Sequence, residues 1–253
     1  MSISRDLIIS TLRERLEPNP RVLACWLEGA DAVRAVDEYS DIDFCCSVEA
    51  VALDDAAALA QSALESLGRL DLIDLSARAE DFLSVYFHLE GTPPYLIIDF
   101  NAYVGRGSDF IEGDEIEKPL VLFDRGRVVR FHSQAEHLTG RTGEERMHKL
   151  SNTVAQYARL EKYVKRGNFL EAFGYYHKWL LLPLIEALRI RYTPLHPDYY
   201  IVHISRHLPG DVLRRLEDLF KVNSTAEIGV KSQAARAFFE ETAAFLADRS
   251  NKI

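Results

Sequence analysis

The hydrophobic positions of the first quarter of the chain alternate between helical and extended spacing. Apolar residues recur at helical spacing over residues 5–16 and again over 52–67, which predicts two amphipathic helices. Continuous apolar runs over 22–27 and 42–48 are short enough to be buried strands. Between these strands, residues 30–37 predict one or two helical turns.

The pattern then becomes extended. Residues 83–89 and 95–103 predict two strands, and the connector Gly-Thr-Pro-Pro over residues 91–94 predicts a hairpin between them. Weak alternation over residues 119–131 predicts one or two edge strands. This order of elements predicts an α+β fold: a mixed β-sheet with flanking helices.

After about residue 143 the spacing is helical almost throughout, and the sequence Arg-Gly-Asn at 166–168 predicts a helix end followed by a new start. We therefore divide the chain into an α+β domain over residues 1–143 and an all-α helical-bundle domain over residues 144–253. The four predicted helical segments are 144–166, 168–191, 209–221 and 230–249.

Composition narrows the class of protein. The 253 residues carry a formal net charge of −9, which disfavours sequence-independent binding to nucleic acid because such binding rests on lysine and arginine contacts to phosphates. Cys25, Cys45 and Cys46 show no metal-binding spacing and predict reduced, buried thiols. The most apolar window, residues 179–188, is too short to cross a bilayer, and the first residues do not resemble a signal peptide. We expect a cytoplasmic protein without a nucleic-acid or membrane partner.

The candidate chemistry begins with two carboxylates. On an extended segment Asp41 and Asp43 project to the same side, while Ile42 between them turns into the core. Two neighbouring carboxylates repel one another, and a divalent cation removes that cost. Mg²⁺ prefers oxygen ligands, and a pair of such ions stabilises the attacking and leaving oxygens of a displacement at phosphorus. The pair therefore predicts a magnesium site, with two ions expected.

A third acid is expected on a neighbouring strand. Asp99 lies in the apolar segment Tyr-Leu-Ile-Ile-Asp-Phe, where an acid without a partner is costly. It is a candidate metal ligand, a candidate general base for an acceptor hydroxyl, or both. Glu90, near the predicted hairpin, is the alternative base, although an acid at such a place is more often a turn residue.

Each of these features has an ordinary explanation when taken alone. An Asp-x-Asp pair is usually a solvated strand end, and a glycine such as Gly29 after a strand is usually only a turn. A salt bridge would equally explain Asp99. The joint order is more specific, since a glycine at that position lets the backbone approach a phosphate closely.

The stretch Gly29-Ala30, ten residues, then Asp41-Ile42-Asp43 resembles the signature of the polymerase-β-like nucleotidyltransferases. Residues 37–40, Asp-Glu-Tyr-Ser, are typical of its bacterial small-molecule branch. That branch includes the aminoglycoside and lincosamide nucleotidyltransferases, which are similar in having a helical C-terminal domain. Residues 175–184 resemble the central helix of that domain.

The resemblance implies transfer of a nucleoside monophosphate, usually AMP from ATP, to a hydroxyl of a small molecule, with release of pyrophosphate. The implied metal ligands and catalytic residues are Asp41, Asp43 and Asp99, and the implied nucleotide-binding residues are Gly29, Ala30, Ser40 and Lys178. A surface lysine is the favoured alternative explanation of Lys178. Two positions depart from the pattern: Ala30 stands where many members have serine, and Ala35 where many have glycine.

Two other functions stay open. One is a nucleotidyltransferase-like antitoxin or regulatory module acting on a protein partner, and the other is a non-catalytic, nucleotide-binding member. The large helical half argues against the first, and Ala30 is the single hint of the second. Neither the acceptor, nor the nucleotide, nor a homodimer can be read from the sequence.

Overall fold

A computed structural model describes residues 3–105, 109–134 and 140–250. The chain divides into two compact units, Met1–Gln134 and Ala135–Ile253. The sequence placed this division after residue 143. That the two units act as separate functional domains stays a prediction.

The first unit contains both helices and strands. Its helices are α1 (Arg5–Leu16), α2 (Gly29–Ala32) and α3 (Leu53–Glu65), with a 3₁₀ turn at Ala50–Ala52. Its strands are β1 (Val22–Leu27), β2 (Ile42–Val48), β3 (Leu70–Arg78), β4 (Phe82–Leu89), β5 (Ile98–Val104), β6 (Asp109–Ile111), β7 (Leu120–Asp124) and β8 (Arg130–His132).

Six of these strands form one mixed sheet in the order β3-β4-β5-β2-β1-β7. Strands β2 and β5 pair in parallel, and the other four pairings in the sheet are antiparallel. Strands β6 and β8 form a separate parallel pair. The predicted α+β architecture with a mixed sheet is confirmed for this unit.

The two faces of strand β2 differ, since one is fully apolar and the other carries polar groups. Ile42, Phe44, Cys46 and Val48 are buried in the main core, because alternate side chains of a strand share a face. That core also contains the apolar faces of α1 and α3. Asp43 therefore lies on the opposite face of the sheet.

Most strand and helix predictions in this unit are confirmed. The strands at 22–27 and 42–48 and the helix at 5–16 have the predicted bounds, and β4 and β5 form the predicted antiparallel pair. The predicted strand start at residue 95 was wrong, because β5 begins at Ile98 after the turn that contains the two prolines. The one or two helical turns predicted over residues 30–37 correspond to the shorter helix α2, which ends at Ala32.

Strand β3 was not predicted. It is the edge strand of the sheet, and Leu72, Ile73 and Leu75 on it are exposed. Its pairing register shifts twice, between Leu70 and Leu72 and between Leu75 and Ala77. These bulges break the alternation by which a half-buried strand is recognised.

The described part of the second unit consists of helices and the turns and loops that join them. They are α4 (Gly140–Val154), α5 (Ala158–Arg166), α6 (Phe169–Tyr176), α7 (Leu182–Tyr192), α8 (Ile204–His207), α9 (Gly210–Phe220) and α10 (Thr225–Ser250), with a 3₁₀ turn at Ala155–Tyr157 and a π-helical turn at His177–Leu181. The predicted helix end at 166–168 is confirmed, since Gly167 ends α5 in the left-handed conformation. Within the described residues, none of the helices has the length and apolar character needed to cross a membrane. That this unit is an independent all-α domain stays a prediction.

Candidate functional site

Two of the predicted site carboxylates lie side by side. Asp43 is the second residue of β2 and Asp99 the second residue of β5, and the two are direct partners in the register of the parallel pair. Both are about half-buried on the same face of the sheet, near the N-terminal ends of their strands. The register therefore brings together two acids that are separated widely in sequence.

Asp41 lies just before the start of β2 and is exposed. Its charge raises the pKa of both Asp43 and Asp99, so the three acids form one cluster. Among the described residues, no hydrogen bond or ion pair is made by the Asp41 carboxylate. All three predicted acids are thus brought together, with Asp41 at the solvent side.

Asp43 is the electrostatic centre of the cluster. Its pKa rises from the ordinary 3.8 to about 7, chiefly because burial removes water from the carboxylate, and next because Asp41, Asp99, Glu28 and Asp31 repel its negative charge. A carboxylate in this condition keeps a proton near neutral pH unless a cation replaces it. The arrangement therefore favours binding of a cation.

Gly29 lies directly against Asp43. Its φ is +57°, and a Cβ built at this position would lie 2.0 Å from Asp43 Oδ2. The neighbouring Glu28 N–H donates to the Asp43 carbonyl at 3.1 Å. Only glycine allows the turn after β1 to take this conformation and to pack so closely against the carboxylate.

Polar neighbours orient the Asp99 carboxylate. Asn101 Nδ2 donates to Asp99 Oδ1 at 3.0 Å, and the Ser84 hydroxyl donates to the same oxygen at 3.4 Å. Burial still raises the pKa of Asp99, although these two hydrogen bonds act in the opposite direction. The sequence reading missed both donors. Asn101 could have been found from its i+2 spacing to Asp99 on one strand.

Glu28 is a further acid that the sequence reading missed. Trp26 Nε1 donates to Glu28 Oε1 at 2.7 Å, and burial raises the pKa of Glu28. The side chain of Trp26 is fully buried, so its indole holds the Glu28 carboxylate in place beside the cluster. The available signal was an acid between a fully apolar strand and Gly29.

The predicted nucleotide-binding residues are placed differently from one another. Ala30 follows Gly29 within α2. The Ser40 hydroxyl donates to Asp37 Oδ1 at 2.8 Å and accepts the Asp37 N–H at 3.0 Å, so it closes the turn before Asp41. Lys178 lies in the second unit, where it is exposed on the π-helical turn. Contacts of these three residues with a nucleotide stay predictions.

Glu90, the alternative base, follows the end of β4. It forms an exposed ion pair with Arg69 at 3.4 Å, and its backbone N–H donates to the Arg69 carbonyl at 2.9 Å. These contacts explain Glu90 as a residue that closes the β3–β4 end of the sheet. They favour Asp99 over Glu90 as the candidate base.

Comparison with known proteins gives little beyond this geometry. No family model and no curated protein matches the chain. A similar solved structure is that of an aminoglycoside 6-adenyltransferase from Bacillus subtilis, with 13% sequence identity, a TM-score of 0.41, and coverage of 98% of this chain and 91% of that chain. Similarity at this level carries no functional argument.

Proposed function

We propose that this protein is a metal-dependent nucleotidyltransferase. In the proposed reaction a hydroxyl oxygen of a small acceptor forms a bond to the α-phosphorus of a nucleoside triphosphate, with ATP as the expected donor. The bond from that phosphorus to the bridging oxygen of the leaving pyrophosphate breaks. The acceptor then carries a nucleoside monophosphate, and its hydroxyl proton passes to a base.

The observation that supports this proposal best is the pairing of Asp43 with Asp99 beside Asp41. Their carboxylates offer the oxygen-only ligand set that Mg²⁺ prefers. The raised pKa of Asp43 has burial and neighbouring negative charge as its causes, and a divalent cation offsets both. The residues present therefore suit magnesium, and the Asp41–Asp43 pair predicts two ions.

Each residue has a separate part in the proposed mechanism. Asp41 and Asp43 would hold the cations, which when bound supply charge neutralisation for the triphosphate. Asp99, which Asn101 and Ser84 orient, would bind the cation and accept the proton of the acceptor hydroxyl. Gly29 has no side chain, and a Cβ at its position would lie 2.0 Å from Asp43 Oδ2.

The acceptor class is proposed from the motif and the charge of the chain. The motif resembles that of enzymes acting on aminoglycosides and lincosamides, and a net charge of −9 favours the approach of a cationic compound such as an aminoglycoside. A screen of hydroxyl-bearing antibiotics, read by mass spectrometry, tests this. Modification by AMP should appear as a mass increase on the accepted compound.

The reaction itself is tested by pyrophosphate release. The purified protein is incubated with Mg²⁺, each of the four ribonucleoside triphosphates and the acceptor panel. We expect release that depends on Mg²⁺ and on one acceptor class. Absence of release with every acceptor, together with absence of metal-dependent triphosphate binding, would contradict the proposal.

Metal binding should also be visible as stability. A cation at about one hundred times its Kd stabilises the folded state by about 2.7 kcal/mol, so Mn²⁺ or Mg²⁺ should raise the Tm of the wild type by several degrees. A matched control is Glu90→Gln, which removes an exposed acid paired with Arg69 and should keep the full shift. If Asp43→Asn showed the same rise in Tm as the wild type, the cation would bind elsewhere.

A further inference from the structure

We propose that Arg5 is a positioning residue for the metal-binding carboxylate of Asp41. The inference deepens the proposed function and rests on it. Arg5 is the first residue of α1, far in sequence from the Asp-x-Asp pair, and no sequence feature marked it. Its side chain nevertheless reaches the backbone carbonyls of Ser40 and Asp41, next to the carboxylate cluster, and is only 14% exposed.

The guanidinium of Arg5 binds three groups from two segments of the site. Its Nη1 donates to the Ser40 carbonyl at 3.1 Å, and its Nη2 donates to the Asp41 carbonyl. Nη2 also forms an ion pair with Asp31 Oδ2 at 3.3 Å. Asp31 belongs to α2, directly after Gly29 and Ala30. Arg5 therefore ties the turn before β2 to the helix after β1.

The helix that carries Arg5 packs into the main core. Ile8, Leu12 and Leu16 of α1 are fully buried in the main core, which fixes the helix against the sheet. The planar fork of an arginine then holds its acceptors with defined geometry. As a result, the backbone at Ser40 and Asp41 is fixed at the point where β2 begins.

The choice of acceptors decides what Arg5 does. It binds the main-chain carbonyl of Asp41 and leaves the carboxylate of that residue without an ion pair among the described residues. If Arg5 were only a positive charge near the cluster, it would repel a metal ion, and removal of Arg5 would tighten metal binding. A positioning residue has the opposite effect, because its removal lets Asp41 leave the ligand geometry. The direction of the change therefore separates the two roles.

The test measures Mn²⁺ binding to the full chain. The concentration of free Mn²⁺ is read from its electron paramagnetic resonance signal. We expect Arg5→Met to weaken Mn²⁺ binding about tenfold, the size of one lost charge-assisted hydrogen bond. Arg5→Lys should weaken it by a similar factor, because an ammonium keeps the charge and loses the fork. Arg13→Met is the matched control on the same helix. It breaks an exposed pair with Glu17 and should bind as the wild type does.

Folding is checked by thermal unfolding without metal. Asp31→Asn is the milder variant, because it keeps both carbonyl bonds of Arg5, and a twofold to threefold weaker affinity is expected for it. Wild-type affinity in Arg5→Lys and Asp31→Asn, or tighter binding in Arg5→Met, overturns the role of Arg5 alone. If the wild type binds no Mn²⁺, or binds it equally after Asp43→Asn, the proposed metal site fails and the role of Arg5 fails with it.

Discussion

Replacing Gly29 with alanine should lower Mg²⁺-dependent pyrophosphate release by about a hundredfold or more. The new Cβ would lie 2.0 Å from Asp43 Oδ2, a distance at which one of the two groups must move. Since the atoms that the Cβ meets belong to the end of the Asp43 side chain, its carboxylate would leave the position beside Asp99. A displacement of about 1 Å in a catalytic site costs roughly that factor.

Backbone strain is the competing explanation, and the chain offers a matched control. Gly105 has a φ of +58°, nearly that of Gly29, and a Cβ there would meet none of the described residues within 4 Å. Gly105→Ala should therefore carry the same cost of a positive φ, about 1 kcal/mol, and keep its activity. Equal losses of pyrophosphate release in both variants would mean that strain, and not contact with Asp43, explains the effect.

Replacing Asp43 with asparagine should have two effects of opposite sign. Metal-dependent release of pyrophosphate should fall on the order of a thousandfold, because a bound cation contributes several kcal/mol at a phosphoryl centre. The metal-free protein should become more stable at pH 8, because the neutral amide removes a carboxylate that its neighbours repel. A residue that serves function at a cost to the fold behaves in this way.

The pH window follows from the raised pKa. Below about pH 4, Asp43 is protonated in both the folded and the unfolded chain and contributes nothing. Between about pH 4 and pH 7 the folded state keeps a proton that the unfolded state has lost, so stability falls as the pH rises. A shift of this size corresponds to about 4 kcal/mol at full burial. Because Asp43 is only half-buried, we expect on the order of 2 kcal/mol after solvent screening.

The measurement is urea unfolding of wild type and Asp43→Asn in EDTA at pH 4, 6 and 8. The two proteins should be close at pH 4 and should separate as the pH rises. Asp55→Asn is the control, since that acid is exposed and paired with Arg21 at 3.6 Å, and it should follow the wild type. If Asp43→Asn were less stable than the wild type at pH 8, the prediction that repulsion at Asp43 destabilises the folded protein would be wrong.

The elements that hold the proposed ligands could be predicted from local pattern. Residues 22–27 and 42–48 are uninterrupted apolar runs, and burial of these strands in the core makes periodicity a reliable guide. Asp99 was conspicuous because it is an acid within an apolar strand. Strand β3 was missed for the converse reason, because its exposed apolar residues and two bulges follow no period.

The supporting groups of the candidate site could not be read from one sequence. The role of Arg5 depends on a contact with the carbonyls of Ser40 and Asp41, across 35 and 36 positions, and an arginine in the first turn of a helix is ordinary. Glu28 acquires its part through the buried Trp26 indole, which donates to its carboxylate. Such groups are defined by the folded geometry and not by spacing along the chain.

The parallel pairing of β2 with β5 also has a consequence for the order in which the protein folds. Strands β4 and β5 are joined by a short connector and can pair as a hairpin, whereas β2 must find β5 across an intervening helix and two strands. Pairings that close a long loop form late, because their entropic cost comes before any contact offsets it. We therefore expect Asp43 to meet Asp99 after the β4–β5 hairpin has formed, so that the acidic cluster assembles late in the folding of the first unit.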